Sequence, residues 1–452
     1  MTGVSFLAAF VVAIVLMIVM VARLRVHPFL AIMAISLLLA LLAGIPLVEV
    51  PGVIGSGFSL TFTSIGIVII FGAFIGAVLE KTGAAFKLAD LVIRLVGEKN
   101  PTLAMELMGW VVSIPVFCDS GFVVLDPVRK AMVRRPGVSS VAMTLCLSCG
   151  LYVSHVFIPP TPGPIAAAQA LGIGEDLLLV MGVGVLCSVF PMIAGYLFAR
   201  YVGPGLTSKE EIGDKDEIVP TYEEIKASFG PLPGTIDALA PLLLPILLMA
   251  FGSISTMAKW GGFGGDLLKF LGSPIMALSA GGIMAIIQLF RSGKGKDFFA
   301  LTDNTLKTVG PILFITAAGG VLGKVIASSD LVGFISSHSS GMEALGVLFP
   351  FILASILKTA QGSSTVAITT TAGIVAPLLP ALGLVSPFDV SLGIMAIGAG
   401  AMTVSHANDS YFWVVTSFGG IKVDDGYRSQ TLLTLVIGVA SMLEIVLLRM
   451  FF

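Results

Sequence analysis

The sequence predicts an all-α polytopic membrane protein with about 12 transmembrane segments in two repeats, containing broken or re-entrant helices. Three observations predict it. Of the 452 residues, 56% are hydrophobic and only 12% charged, about half the charged share of a soluble globular chain. Apolar runs near the roughly 20 residues that a bilayer core requires recur along the whole chain. A single extended polar interval divides the chain, and matching motifs stand on its two sides.

Taken in order, the first candidate spans are Val4–Ala22, Pro28–Val48, Ile54–Val78, Leu103–Phe117, Ser140–Ile158 and Leu177–Val202. After the polar interval come Ile236–Met257, Pro274–Phe290, Val309–Ala327, Ala344–Leu357, Val385–Val404 and Thr431–Leu448. The first run has no basic residue before it and no small-residue cleavage site after it, so it reads as a retained span. Arg23, Arg25 and the group Arg129, Lys130, Arg134 and Arg135 would face the cytosol, which favours an external N-terminus. Residues 1–203 then form a first transmembrane repeat and 236–452 a second. The polar linker, 204–235, holds seven acids between Lys209 and Glu224 and reads as a solvated connection.

The composition also excludes functions. Lys+Arg 25 against Asp+Glu 27 gives a net charge of −2, which leaves no basic face to track nucleic acid. Four cysteines, Cys118, Cys146, Cys149 and Cys187, lie in or beside apolar runs and read as packing residues; the C-x-x-C at Cys146–Cys149 lacks a partner pair for metal or redox work. No phosphate loop and no nucleophile, base and metal set appears at useful spacing, so the chain is not read as an enzyme, and no cofactor or metal is expected.

The two halves carry corresponding signposts. GAFIG at Gly72–Gly76 matches GGVLG at Gly319–Gly323, CDSG at Cys118–Gly121 matches AQGSST at Ala360–Thr365, and Ser154-His155 matches Ser405-His406. Offsets of about 240 to 251 residues recur in all three pairs. A duplicated transporter explains this: broken helices of both repeats meet at mid-membrane, where their exposed N–H groups make an anion site. The spans leave open whether the repeats are inverted.

Four polar islands could carry the chemistry. At Pro115–Val128, Asp119 stands beside Ser120 and Gly121 in an apolar setting. A carboxylate at membrane depth costs several kcal/mol unless paired, hydrated or protonated, and coupling to protons or substrate is the favoured role; Asp126, next to Arg129, reads equally as half of a helix-end ion pair. At Ser154–Pro164 four prolines interrupt a helix, and His155 is either a proton relay or a structural group bonded to the freed carbonyls. At Lys358–Gly373, Gln361, Gly362, Ser363, Ser364 and Thr365 suit the hydroxyls of a polyhydroxylated solute. Thr369 to Thr371 read as helix packing, and Lys358 could attract a carboxylate, although snorkelling to an interface is the commoner fate of such a lysine. At Ser405–Trp413, His406, Asn408 and Asp409 read as coupling or ligand groups, and Tyr411, Phe412 and Trp413 as an interfacial aromatic belt. His27 and His338 read as loop or span-end residues.

At these islands the sequence resembles the gluconate permease (GntP) family of bacterial proton symporters. Four motifs carry the resemblance: Pro-x-Phe-x-acid-x-Gly-Phe at Pro115–Phe122, Phe-x-Pro-Pro-x-Pro-Gly-Pro at Phe157–Pro164, Ala-Gln-Gly-Ser-x-Thr-Val-Ala at Ala360–Ala367, and Ser-His-x-Asn-Asp-Ser-x-Phe-Trp at Ser405–Trp413. The resemblance implies a multi-pass protein of the bacterial inner membrane, in an inverted-repeat fold, importing gluconate or a related small hydroxylated carboxylate with protons. D-Serine or another small organic acid is the alternative substrate; a passive channel is the runner-up class. Within this reading, Asp119 and then Asp409 are the coupling acids, His155 and His406 relays. Ser120, Gly121, Gln361, Gly362, Ser363, Ser364, Thr365 and Asn408 contact substrate. Partners are the carboxylate substrate, protons and the lipid bilayer, with a homo-oligomer left open. Thr161, Asp126 and Tyr411 depart from gluconate-type members, some of which carry histidine, no acid and glycine there.

Overall fold

The computed structural model of the chain describes residues 3–451 except 97–99, 134–138, 210–223, 225–226, 228–231, 330–344 and 407–408. Arg134, Arg135, His338, Asn408 and most of the acidic linker lie outside the described residues, as does the side chain of Gln361. No β-strand occurs among the described residues.

In chain order the first half comprises α1 (Gly3–Ala22), α2 (Pro28–Leu42), α3 (Val50–Thr82), α4 (Ala84–Val96), α5 (Pro101–Val112), α6 (Cys118–Val133), α7 (Ser140–Phe157), α8 (Pro162–Ala170), α9 (Leu177–Leu186) and α10 (Val189–Val202). The second half comprises α11 (Thr235–Met257), α12 (Gly262–Gly272), α13 (Pro274–Arg291), α14 (Phe298–Ala327), α15 (Leu348–Gln361), α16 (Ser364–Val375), α17 (Pro387–Met402), α18 (Ser410–Phe418) and α19 (Leu432–Phe451). His27 caps the start of α2, its ring accepting from the Phe29 N–H, in keeping with a span-end position.

Six stretches among the described residues are long and apolar enough to cross a membrane, and a seventh if α3 and α4, bent by 77° at their junction, count as one broken span. The other apolar segments are helices of 10–17 residues. This mixture of full spans and short, interrupted helices is the polytopic all-α architecture with broken helices that the sequence predicts, although the count of 12 crossings is not reproduced by the long spans alone. Leu103–Phe117 is not one crossing: α5 stops at Val112, and the chain turns through 113–117 before α6 begins at Cys118. Proline and glycine at these places remove backbone donors or admit conformations that end a helix. Thus α15 ends on Gly362 in the left-handed conformation (φ 79°), and the Ser363 hydroxyl restarts the chain by accepting the Val366 N–H.

The short helices form two similar sets. α5 turns into α6 and α7 is interrupted before α8; in the second half α15 turns into α16 and α17 is interrupted before α18. α7 is buried along its entire length, as are Thr365–Val375 of α16 and Val390–Met402 of α17. By contrast, α1, α10, α11 and α19 expose large apolar side chains such as Val12, Leu197, Leu247 and Leu443. An apolar exterior around wholly buried apolar helices is what a lipid solvent permits.

The long helices α3 and α14 pack on each other and hold both sets by glycine. A Cβ on Gly72 would lie 2.7 Å from the Pro160 carbonyl, and one on Gly76 2.1 Å from that of Pro115. On α14, Gly323 meets Gly373 of α16 in the same way, at 2.7 Å. The paired GxxxG signposts are therefore seats where the long helices receive the breaks and hairpins, using the close backbone approach that small residues allow.

Candidate functional site

Asp119 is the second residue of α6, placed there because the turn at 113–117 starts a new helix at Cys118. Its Oδ1 accepts a hydrogen bond from the Ser410 hydroxyl at 3.4 Å, so the first island of one half touches the fourth island of the other. Among the described residues, no cation forms an ion pair with Asp119.

Asp409 is the N-cap of α18, Oδ1 accepting from the Tyr411 N–H at 3.1 Å. Its Oδ2 accepts from the Lys358 ammonium at 2.6 Å and the Ser405 hydroxyl at 2.5 Å. Lys358 also donates to the Gly362 carbonyl at 2.8 Å, and its Nζ lies 5.7 Å from the Tyr152 ring centroid. The lysine is 1% exposed. The expectation of a snorkelling lysine is thus overturned, because α15 stops three residues later and leaves the ammonium at the buried turn rather than at an interface. Ser405 is in turn fixed to the end of the chain: its N–H donates to Thr434 Oγ1 at 2.9 Å, and its carbonyl accepts from Thr431 at 2.6 Å.

The aromatic belt is also corrected. Tyr411 and Phe412 are buried at 2% and 0%; the Tyr411 ring lies tilted against Tyr152 with centroids 4.9 Å apart and donates its hydroxyl to the Ser148 carbonyl at 3.1 Å. Tyr152 and Tyr411 stand beside the Lys358–Asp409 pair. Only Trp413 of the three is exposed.

His155 lies on α7 against Phe117, with ring centroids 5.8 Å apart, and its Nδ1 is buried without a hydrogen-bond partner. The freed carbonyls of the proline break are served by Thr161, whose hydroxyl reaches His155 O at 2.9 Å and Ile158 O at 2.8 Å. The structural role considered for His155 therefore falls to Thr161. His406 sits with Nε2 3.3 Å from the Thr359 carbonyl.

Ser120, Ser363 and Ser364 are half-buried, and Gly121, Gly362 and Thr365 buried. The Gly121 N–H is already bonded to the Phe117 carbonyl at 2.8 Å, which removes it as an anion donor. Thr369 donates to the Val366 carbonyl at 3.1 Å, whereas the Thr370 and Thr371 hydroxyls are buried without a partner. Asp126 takes the ion-pair reading: it binds the fully buried Arg129 at 2.7 Å and Lys130 at 3.0 Å, and Arg129 also reaches Ser140 and the Phe418 carbonyl.

The structure thus brings together Asp119, His155, Lys358, Ser405, Asp409 and Ser410, with Tyr152 and Tyr411 around them. Sequence reasoning missed Tyr152, Ser410 and Glu80, against which Ser120 rests, and named Lys358 without its partner Asp409. A lysine three residues before the Gln361–Gly362 break was the available signal. A separate cavity of about 290 Å³ runs beside the outer parts of α8 and α16 against α3 and α14, lined by Gly57, Gln169, Thr316, Lys324 and Thr369. Among the described residues no three His, Cys, Asp or Glu gather to hold a metal.

Comparison with known proteins gives one answer. The model of the GntP family permeases matches residues 5–451. The inner membrane permease YgbN of Escherichia coli (strain K12) is 30% identical over 97% of each chain. The gluconate permease of Pseudomonas aeruginosa is 29% identical, over 97% of this chain and 96% of that one. Among solved structures, the Alcanivorax borkumensis YdaH transporter shares the fold at 16% identity, with a TM-score of 0.65 over 94% of this chain and 99% of that one.

Proposed function

The chain belongs to the GntP permease family, it is a multi-pass membrane transporter, and on that premise we propose that it imports gluconate or a related small hydroxylated carboxylate together with protons. The observation that carries the proposal is the meeting of two carboxylates, Asp119 from the first half and Asp409 from the second, around one buried lysine. We take the halves on either side of the linker as two repeats, with transport occurring where their broken helices converge.

The charge count explains why protons would be needed. A monoanion entering beside two carboxylates meets two repulsions, each about 3 kcal/mol at roughly 5 Å and an effective dielectric near 20. One lysine offsets one of them. A proton taken up by the carboxylate pair removes the other, so anion and proton enter together. Asp119 is half-buried while Asp409 is buried and paired, which makes Asp119 the group that receives the proton from water and Asp409 the acid behind it. The side chains of Ser120, Ser363, Ser364 and Thr365, on the turns of α6 and α16, hold the substrate hydroxyls, and Gln361 and Asn408 belong to the same set. His155 and His406 flank the path as relays.

Uptake of labelled gluconate into proteoliposomes under an inward proton gradient tests the reading, and stimulation by the gradient is expected. Stimulation by a sodium gradient with no response to protons reverses the coupling assignment. No uptake of gluconate alongside uptake of D-serine or another organic acid reassigns the substrate.

A further inference from the structure

The Lys358–Asp409 pair has a geometry that a purely structural ion pair does not require. Both members sit at interruptions of their helices: Lys358 in the last turn of α15, bonded to the Gly362 carbonyl at the turn itself, and Asp409 at the end of the break that precedes α18. All the bonds that hold the pair on the Asp409 side converge on one oxygen, Oδ2, while Oδ1 serves the α18 cap. Directly outside lie the half-buried Ser363 and Ser364 and the exposed Ser410. A carboxylate docked on Ser363 would stand one residue from the carbonyl that the ammonium already touches.

We infer that Lys358 is an exchangeable counter-ion, bound to Asp409 when the site is empty and to the substrate carboxylate when it is loaded. The inference rests on the anion-symport reading above and specifies what the proton does in it. Loading places one proton on Asp409 Oδ2. The Nζ–H to Oδ2 ion-pair hydrogen bond breaks, lysine remains an ammonium, and its N–H turns to the substrate carboxylate. The charge of lysine and aspartate sums to zero before loading, and that of lysine, neutral Asp409 and bound monoanion sums to zero after. Release of the anion and proton on the other side restores the pair.

Other groups facing Asp409 fit this exchange. Cys118 and Asp119 come from α6, Tyr152 and His155 from α7, Lys358 from α15 and Tyr411 from α18; His406 lies in the same break, and Thr434 of α19 and Thr431 just before it add only neutral hydroxyls. Lys358 is the one lysine among them, and no arginine stands with it. The Tyr152 face gives the ammonium a second attractive surface while it changes partners.

Binding of gluconate to the purified full chain, measured across pH 5.5–8, tests the inference by linkage. For wild type, the Kd is expected to rise about tenfold per pH unit in the upper part of the range, because one proton enters with each anion. Asp409→Asn frees the lysine permanently: it should bind gluconate with a Kd constant within about twofold across the range, keep exchange of internal for external gluconate, and lose accumulation driven by protons. Lys358→Gln should weaken binding at least 50-fold, and Lys358→Arg should recover most of it. The double variant Lys358→Gln/Asp409→Asn leaves no unpaired charge and is expected to fold, as read by size-exclusion and melting, yet not bind. A double variant that binds like wild type shows a structural pair and overturns the inference, as does a pH-independent Kd in wild type. Wild type that binds no gluconate at any pH overturns the substrate reading and the inference with it, so the two failures are distinguishable.

Discussion

Asp119 and Asp409 stood out in the sequence for a simple reason: an acid amid apolar residues is costly enough to need a use or a partner. What a sequence does not print is the partner. Lys358 lies 51 positions from Asp409 and Ser410 lies 291 from Asp119, so local patterning could assign neither pair and left Lys358 between attracting a carboxylate and snorkelling. Two predictions belong at this scale. Asp119→Asn removes the outward acid but keeps its size, and gradient-driven accumulation should fall at least tenfold while exchange is partly retained. Proteoliposome assays of both modes check this, and unchanged accumulation would take Asp119 out of the coupling role. Asp126→Asn acts differently. It strips a buried guanidinium, Arg129, of its closest charge partner, which costs about 3 kcal/mol or more when one member of a buried pair is removed. The expected result is a lowered melting temperature and less folded protein, with normal activity per folded molecule.

At the scale of elements, length decided what could be read. Helices of 30 residues or more, α3 and α14, exceed any span and were legible as apolar runs with glycines four apart. The half-spans were not: α5 and α16 are 12 residues each, and an apolar stretch of that size reads as well for part of a crossing as for a core helix. The prolines and glycines in them announced interruptions but not the direction of the chain after each one. The glycine seats give a test. Gly76→Ala would force a methyl group to 2.1 Å from the Pro115 carbonyl, displacing by about 1 Å the turn that carries Asp119; misplacement of that size can cost 100-fold in rate. Alanine is itself the better helix former by about 1 kcal/mol, so transport should fall at least tenfold with a much smaller loss of thermal stability. Gly55→Ala, on the same helix with open space around it, should transport as wild type. Equal behaviour of the two variants would remove the seat from the explanation.

For the whole molecule, the duplicated motifs were legible because both halves must deliver a polar break to one place, and that constraint preserves spacing. The YdaH fold is shared at only 16% identity, in line with a lipid solvent that asks for apolarity rather than for particular side chains. Under the proposed function the two converging sets of broken helices work by alternating access rather than as a pore, and the distinction has thermodynamic content. A carrier that loads one proton with one monoanion moves no net charge, so its accumulation ratio at steady state equals the proton ratio: about tenfold for each pH unit of gradient, each worth about 1.4 kcal/mol. Clamping the membrane potential at zero or at a negative value should leave that ratio unchanged, while collapsing the proton gradient should abolish it. Preloaded unlabelled gluconate should also accelerate entry of labelled gluconate, saturably, because a carrier returns faster loaded than empty. A channel gives no such counterflow and follows potential. Accumulation that grows with negative potential while still requiring protons would mean more than one proton per anion, and would place the second on Asp119 beside the first on Asp409.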